Sequence, residues 1–202
     1  MIKRHFFGLP VEIANLNPGS IRVDGVNDRV TALDSTAFGV GDAAFTIAVK
    51  FLALAVPSGI SNARILSKAN TLTGYAIFFQ NSRLGLFMRP SGSSGNRYNI
   101  FLSEVHAAGK LTTFAISRKG AAPAVKEDYR LYLDGVEKTP EQLVYSYSSN
   151  SSGGWPSDMP TGNLDSSAGF EFGQSAAGGN SFIGYVFLGG QWNRELTAEE
   201  HQ

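Results

Sequence analysis

The sequence predicts an all-β domain, a sandwich or barrel, on three observations. Bulky apolar residues recur at every second position in run after run, the period of a strand with one buried face. Gly, Ser, Asn, Asp or Pro interrupts these runs at intervals of about ten residues, the spacing of short strands joined by tight turns. Only the final stretch, Glu195 to Gln202, reads as helix, with Thr197 as N-cap and Glu200 at the position a capping box requires.

Taken in order, strands are expected near 20–24, 28–33, 44–53, 64–68, 75–80, 83–89, 98–102, 111–118, 129–134, 170–173 and 182–192. In "FTIAVKF", Phe45, Ile47, Val49 and Phe51 share one face. "YAIFFQNSRLGLFMR" is a hairpin with Asn81-Ser82 at its tip. "LTTFAISR" divides into Leu111, Thr113, Ala115 and Ser117 on one side and Thr112, Phe114, Ile116 and Arg118 on the other. Asp-Gly occurs twice between such runs, at Asp24-Gly25 and Asp134-Gly135. That dipeptide signals a two-residue hairpin, because a type I′ turn needs positive φ at both central positions. Both aspartates read as turn formers, with a metal or ligand contact as the alternative.

Composition narrows the function. With 202 residues the chain suits one large domain, able to bury roughly 70% of the surface that its unfolded form exposes. It has no cysteine, which excludes disulfides and thiolate metal sites. Seventeen basic and seventeen acidic residues are spread evenly, so no basic stripe exists to follow a phosphate backbone, and nucleic acid is not an expected partner. The apolar runs on either side of Lys50 are too short and too interrupted to span a membrane, so no membrane insertion is expected. The opening twenty residues lack the sustained apolar core of a signal peptide. Synthesis in the cytoplasm, with release by lysis or on a particle, is therefore the expected route to any external surface.

Two segments stand outside the strand pattern. Residues 1–17 form an N-terminal arm carrying Phe6, Phe7, Leu9 and Val11, suited to packing on the domain's own surface or to docking on a partner chain; the sandwich is expected over 18–202. Residues 139–169 have little regular character beyond a short strand at "LVYSY". A long segment of this kind is commonly functional or disordered, and Trp155 within it favours an ordered surface loop.

The order of motifs resembles the laminin G-like members of the concanavalin A-like superfamily. The stretches are "SIRVDGVNDRVTALDSTAFGVGDAAFTIAVKF", "RILSKANTLTGYAIFFQNSRLGLFM", "RLYLDGVEKT" and "FIGYVFLGGQWNRELTAEE", covering about Ser20 to Glu200. The resemblance implies a jelly roll of two antiparallel sheets packed face to face, with a short C-terminal helix. It makes Asp24-Gly25 and Asp134-Gly135 corner turns. It gives Trp192, Asn193 and Arg194 a structural role: Trp192, with Leu196, anchors the closing strand, and the two polar residues tie the corner. Relatives bind sugars, proteins or Ca²⁺ through rim loops. Many carry an acidic pair in the closing strand where this chain has Phe187 and Leu188, which puts calcium coordination at that position in doubt.

Catalysis finds little support. Glycosidases need two carboxylates flanking the scissile bond. Here Glu171 stands alone in "GFEFG", and Glu127-Asp128 are adjacent, hence on opposite faces of a strand. The histidines His5, His106 and His201 show no zinc-ligand spacing. Trp155 and Tyr147, with Asp158 beside them, are candidate ligand-binding residues, able to stack on sugar rings or simply to pin the long loop. Asp158, Asp165 and Asn163 supply the hard oxygen donors that Ca²⁺ takes, or are solvated loop residues. Two function classes follow. One is a non-catalytic recognition and adhesion module for a glycan or protein surface ligand. The other is a structural decoration or assembly protein, using the arm and sandwich for homo-oligomer or virion contacts. Met1 directly ahead of an apolar-tipped arm, with no signal peptide, suggests a bacteriophage particle as the setting for either.

Overall fold

A computed structural model describes residues 19–26, 28–32, 40, 43–58, 63–70, 73–90, 98–120, 128–147, 150–153, 164, 166–173, 182–197 and 199–201. The N-terminal arm, together with Trp155, Asp158, Asn163 and Asp165, lies outside the described residues. The strands in chain order are β1 Ile21–Asp24, β2 Val30–Ala32, β3 Phe45–Ala55, β4 Ala63–Ala69, β5 Gly74–Gln80, β6 Arg83–Arg89 and β7 Tyr98–Leu102. There follow β8 Leu111–Arg118, β9 Tyr129–Leu133, β10 Val136–Glu137, β11 Leu143–Tyr147, β12 Asn150–Gly153, β13 Phe170–Phe172 and β14 Ile183–Trp192. They form two antiparallel sheets. One has six strands in the order β1-β14-β3-β8-β9-β10, and the other has eight in the order β12-β11-β7-β6-β5-β4-β13-β2. The fold is the expected two-sheet jelly-roll sandwich.

Period-two patterning explains the packing. In β3, Phe45, Ile47, Val49, Phe51 and Ala53 are all buried and point at the other sheet. Their β8 partners include Ile116 and Phe114, which also join the core. The eight-stranded sheet answers with Tyr75, Ile77 and Phe79 of β5, Leu84, Leu86 and Met88 of β6, and Ile100 and Leu102 of β7. Burying one such large side chain contributes about 1.5–3 kcal/mol, so this double layer is the main source of stability.

The two ends of the sandwich are closed differently. Near the β3 C-terminus, Phe51 meets Phe79 across the layers edge-on at 5.7 Å, and Phe182 meets Phe51 at 5.9 Å. At the opposite end the core accepts charge. Arg118, which alternation puts on the core face, is fully buried with its guanidinium 4.8 Å over the Phe45 ring. It donates from Nε and Nη2 to the Ala43 carbonyl, at 3.2 and 2.5 Å. Lys68 is equally buried and donates to the Ser166 carbonyl. Beside it the Tyr75 hydroxyl donates to Gln191 Oε1 at 2.5 Å, tying one sheet to the other.

Two expectations need correction. Asp24-Gly25 is not a hairpin tip, because β1 pairs with β14 while β2 pairs with β13 in the other sheet. Segment 139–169 holds more structure than expected: β11 and β12 form a hairpin that extends the eight-stranded sheet beyond β7. The short C-terminal helix is present as a 3-10 turn at Glu199–His201.

That C-terminal segment is clasped to the outward face of the six-stranded sheet by one hydroxyl. Thr46 Oγ1 donates to the Arg194 carbonyl at 2.9 Å, accepts from the Leu196 N–H at 2.9 Å and lies 2.9 Å from Ser117 Oγ. Replacing it by the isosteric Thr46→Val leaves buried groups without a partner, a penalty of about 1–3 kcal/mol. Urea unfolding is expected to register a loss of that size with an unchanged slope.

Candidate functional site

The two Asp-Gly dipeptides have different geometry. Asp134 and Gly135 both take positive φ, 53° and 78°, between Leu133 and Val136, which pair as neighbours in β9 and β10. This is a two-residue hairpin, and glycine meets its second position without Cβ strain. Asp24 instead folds its side chain onto the next turn, Oδ1 accepting from the Val26 N–H at 2.8 Å. Its own N–H donates to Asp28 Oδ2 at 2.9 Å. Gly25, at φ 86°, sits so close to Ile183 that an added Cβ would lie 2.4 Å from that side chain. The corner therefore turns the chain from the six-stranded sheet to the other.

The closing motif lies at the far end. Trp192 pairs with Thr46, and its ring lies against Gly190, where an added Cβ would be 3.1 Å from it. Asn193 Oδ1 accepts from Gln191 Nε2 at 3.4 Å. Arg194 grips Glu200 with both terminal nitrogens, at 2.8 and 2.6 Å, and this holds the Glu200 carboxyl down at about 2. Glu200 also accepts from the Thr197 N–H at 2.9 Å, the half of a capping box foreseen at this position. Tyr147 is the outermost residue of β11, paired with Tyr98 and Asn150.

The end of the sandwich at which β3 finishes and β8 and β14 begin gathers what the motifs did not reveal. Six of its aliphatic side chains are exposed: Val26, Leu54, Val105, Leu111, Val136 and Ile183. The most open are Val26 at 67%, Val105 at 66% and Val136 at 63%. Strand register puts Val26, Ile183, Leu54 and Leu111 along one edge, from the β1 tip to the start of β8, while Val136, through Leu133 and Phe114, lies level with Val49. At about 4.8 Å per strand that edge runs for about 14 Å.

Ion pairs flank the ridge. Asp134 accepts from Lys110 Nζ at 2.8 Å and from the Thr113 N–H at 2.9 Å, and Lys138 donates to Glu104 at 3.0 Å. Beside Leu111 lies an open depression of about 380 Å³ lined by Lys50, Leu111, Thr113 and Asp134. An exposed apolar contact next to hydroxyl, ammonium and carboxylate groups can receive a sugar ring with its hydroxyls, or a protein side chain. β3 carries a sequence signal for this surface: outward positions 50, 52 and 54 read Lys, Leu, Leu, where a solvated face would stay polar.

Beneath the ridge His106 plugs the end of the core. Its ring packs on Phe51 at 5.7 Å and Phe79 at 5.2 Å, its backbone N–H donates to the Ser82 carbonyl at 2.8 Å, and its ring Nε2 is buried with no partner among the described residues. Burial first, then the Lys110 charge, lowers its pKa, against the smaller pull of Asp134 and Glu104.

The outward face of the eight-stranded sheet is closed: Phe78 and Phe101 pack edge-on there at 5.4 Å and are both buried, and polar groups lie toward β13. Glu171 is buried opposite Ser67, with Arg29 Nη1 at 3.7 Å. Arg64, on the same face, has its pKa lowered by burial, with the Glu171 charge opposing. Among the described residues no three His, Asp or Glu side chains gather as metal ligands.

Comparison with known proteins places the fold. No protein-family model matches the chain, and no curated protein does. Solved structures match in architecture. The binding domain of botulinum neurotoxin DC in complex with SialylT gives a TM-score of 0.64 at 12% identity, over 95% of this chain and 43% of that one. The binding domain of the same toxin in complex with rat synaptotagmin II gives 0.62 at 11% identity, over 95% and 43%. The native heptameric SAP-like pentraxin from Limulus polyphemus gives 0.51 at 13% identity, over 90% and 79%. At such identities the likeness supports the two-sheet jelly-roll sandwich and nothing finer. The chain spans less than half the length of those toxin domains, which are binding rather than catalytic units.

The His106 environment yields a pH prediction. The folded state disfavours the protonated ring, so the unfolded chain binds more protons once pH falls below the ordinary histidine value of 6.5. Stability is expected to be level above about pH 7 and to decline through pH 6 and 5. Subtracting the profile of His106→Phe from that of the unaltered chain isolates this contribution; two profiles of the same shape would contradict it.

Proposed function

We propose that this chain is a non-catalytic recognition module that meets a glycan or a protein ligand at the loop-bearing end of its sandwich. The observation that carries the reading is the gathering of six exposed aliphatic side chains toward that end, beside ion pairs and the Lys50–Asp134 depression. Contiguous apolar surface on a soluble domain marks an interaction site, because leaving it in water is costly. The architecture supports the reading, since it is shared with toxin binding domains described with SialylT and with synaptotagmin. Membership of the laminin G-like group and a bacteriophage particle as the setting belong to the same proposal. The ridge also suits the assembly reading, in which a neighbouring subunit covers it.

The test is a glycan array and a panel of immobilised surface proteins probed with the full chain and with Leu111→Asp and Val105→Asp. The reading expects binding that falls by about tenfold or more in each variant while the melting temperature stays within about 2 °C. Unchanged binding in both variants would count against the ridge. A stable oligomer that binds nothing on either surface, and that Val105→Asp dissociates, would favour assembly.

Calcium is part of the proposal through Asp158, Asp165 and Asn163, whose hard oxygen donors suit that ion. Melting in millimolar CaCl₂ against EDTA is expected to show a higher midpoint with calcium, lost in Asp158→Asn. Trp155 and Tyr147 enter as ring platforms for a sugar, so Trp155→Ala is expected to weaken glycan binding without altering the calcium response.

A further inference from the structure

Between β7 and β8 the chain crosses the end of the sandwich as a strap, Ser103 to Lys110. Seven of its eight residues are exposed, and only His106 is buried. Three backbone hydrogen bonds hold the strap down. The Ser103 N–H donates to the Gln142 carbonyl, the His106 N–H to the Ser82 carbonyl and the Gly109 N–H to the Ala53 carbonyl. Ion pairs hold its two ends, Glu104 with Lys138 and Lys110 with Asp134. Between those ends the one side chain that turns inward is a titratable one.

The seat of that side chain suits a neutral ring and not a charged one. β3 and β5 face it with the Phe51 and Phe79 rings, tilted 41° and 43° to its own. The Ser82 carbonyl of the β5–β6 turn is taken by the backbone N–H. Protonation makes the buried Nε2 a donor without an acceptor among the described residues, in apolar surroundings. The charges that reach the ring are Lys110 and Glu104 of the strap and Asp134 of the β9–β10 turn. Lys110 opposes a cation there, and the two carboxylates that favour it are each held by an ammonium group.

We propose that the Ser103–Lys110 strap is a pH-operated latch on the ridge: protonation lifts His106 out of its Phe51–Phe79 seat, and Val105 moves with it. Val105 is the neighbour of His106 and one of the most exposed side chains of the ridge, so the surface that meets a ligand changes when the latch opens. The sandwich itself stays shut, because Phe51, Phe79 and Phe182 still hold one another. The strap is thus a small unit that opens locally, ahead of global unfolding. The lifted ring titrates near the ordinary 6.5 and the seated ring lower. The latch is therefore closed above about pH 7. As pH falls from 6.5 toward the seated value, its open-to-closed ratio rises by up to about tenfold per unit. Its purpose, release of a ligand in acid, rests on the recognition reading; its motion does not.

Hydrogen exchange of the full chain without ligand, followed by NMR between about pH 7.5 and 5.5 and corrected for intrinsic exchange rates, reads the latch directly. The amide of residue 106, bonded to Ser82 when the latch is closed, is expected to lose protection about three- to tenfold between pH 6.5 and 5.5. The amide of Ile77, in the centre of β5, is expected to keep its protection. In His106→Phe and His106→Gln, which do not titrate, protection at residue 106 is expected to stay constant. A residue 106 amide indifferent to pH, an equal loss at Ile77, or the same loss in both variants would each overturn the proposal. Since no ligand enters the measurement, the latch can fail while ridge binding through Leu111 stands, and the reverse.

Discussion

Everything functional in this molecule depends on two sheets being held face to face, and the contact that does so most directly is Phe51 against Phe79. One ring comes from β3 of the six-stranded sheet, the other from β5 of the eight-stranded sheet, and Phe182 packs on both. Edge-to-face aromatic pairs gain from the ring quadrupoles as well as from buried area. With this cluster in place the sandwich end is sealed from within, and His106 completes the seal. The side chains left over on that rim, Val26, Leu54, Val105, Leu111, Val136 and Ile183, cannot reach the interior and face outward.

The opposite end obeys a different constraint. A fully buried arginine and lysine are costly unless each meets partners, and here Arg118 has the Phe45 ring and the Ala43 carbonyl while Lys68 has the Ser166 carbonyl. These contacts pin loops to the strand ends at defined places. Burial also raises the Tyr129 hydroxyl pKa beside Arg118, whose charge and hydrogen bond pull the other way. The polar end thus acts in architecture, whereas at the other end exposed aliphatic side chains gather among the described residues.

Strand positions were legible in the sequence because alternation is imposed by the pleat: Phe45 to Phe51 and Tyr75 to Phe79 announced their core faces. Strand partners were less so. Asp24-Gly25 and Asp134-Gly135 are the same dipeptide in the same local pattern, yet one crosses between sheets and the other closes a hairpin; the difference lies in Ile183 packing on Gly25, a contact far away in the chain. The strand at "LVYSY" was legible and is β11, but its hairpin partner β12 hid because it consists of Asn, Ser and Gly, and its order comes from pairing with β11, itself paired with β7. The exposed ridge hid for a related reason. An outward Leu is identical in sequence to an inward one, and only register reveals that Leu54, Leu111 and Ile183 lie on one edge. The candidate residues in the long loop, Trp155, Asp158, Asn163 and Asp165, stand as proposals outside the described residues.

The most direct measurement of the central claim is a double-mutant cycle between Phe51→Leu and Phe79→Leu, read by urea unfolding. If the two sheets pack through this pair, the double variant loses less than the sum of the single losses, with a coupling of about 0.5–1.5 kcal/mol. Strict additivity of the two substitutions would mean that the rings do not touch, and the face-to-face arrangement argued from them would fall.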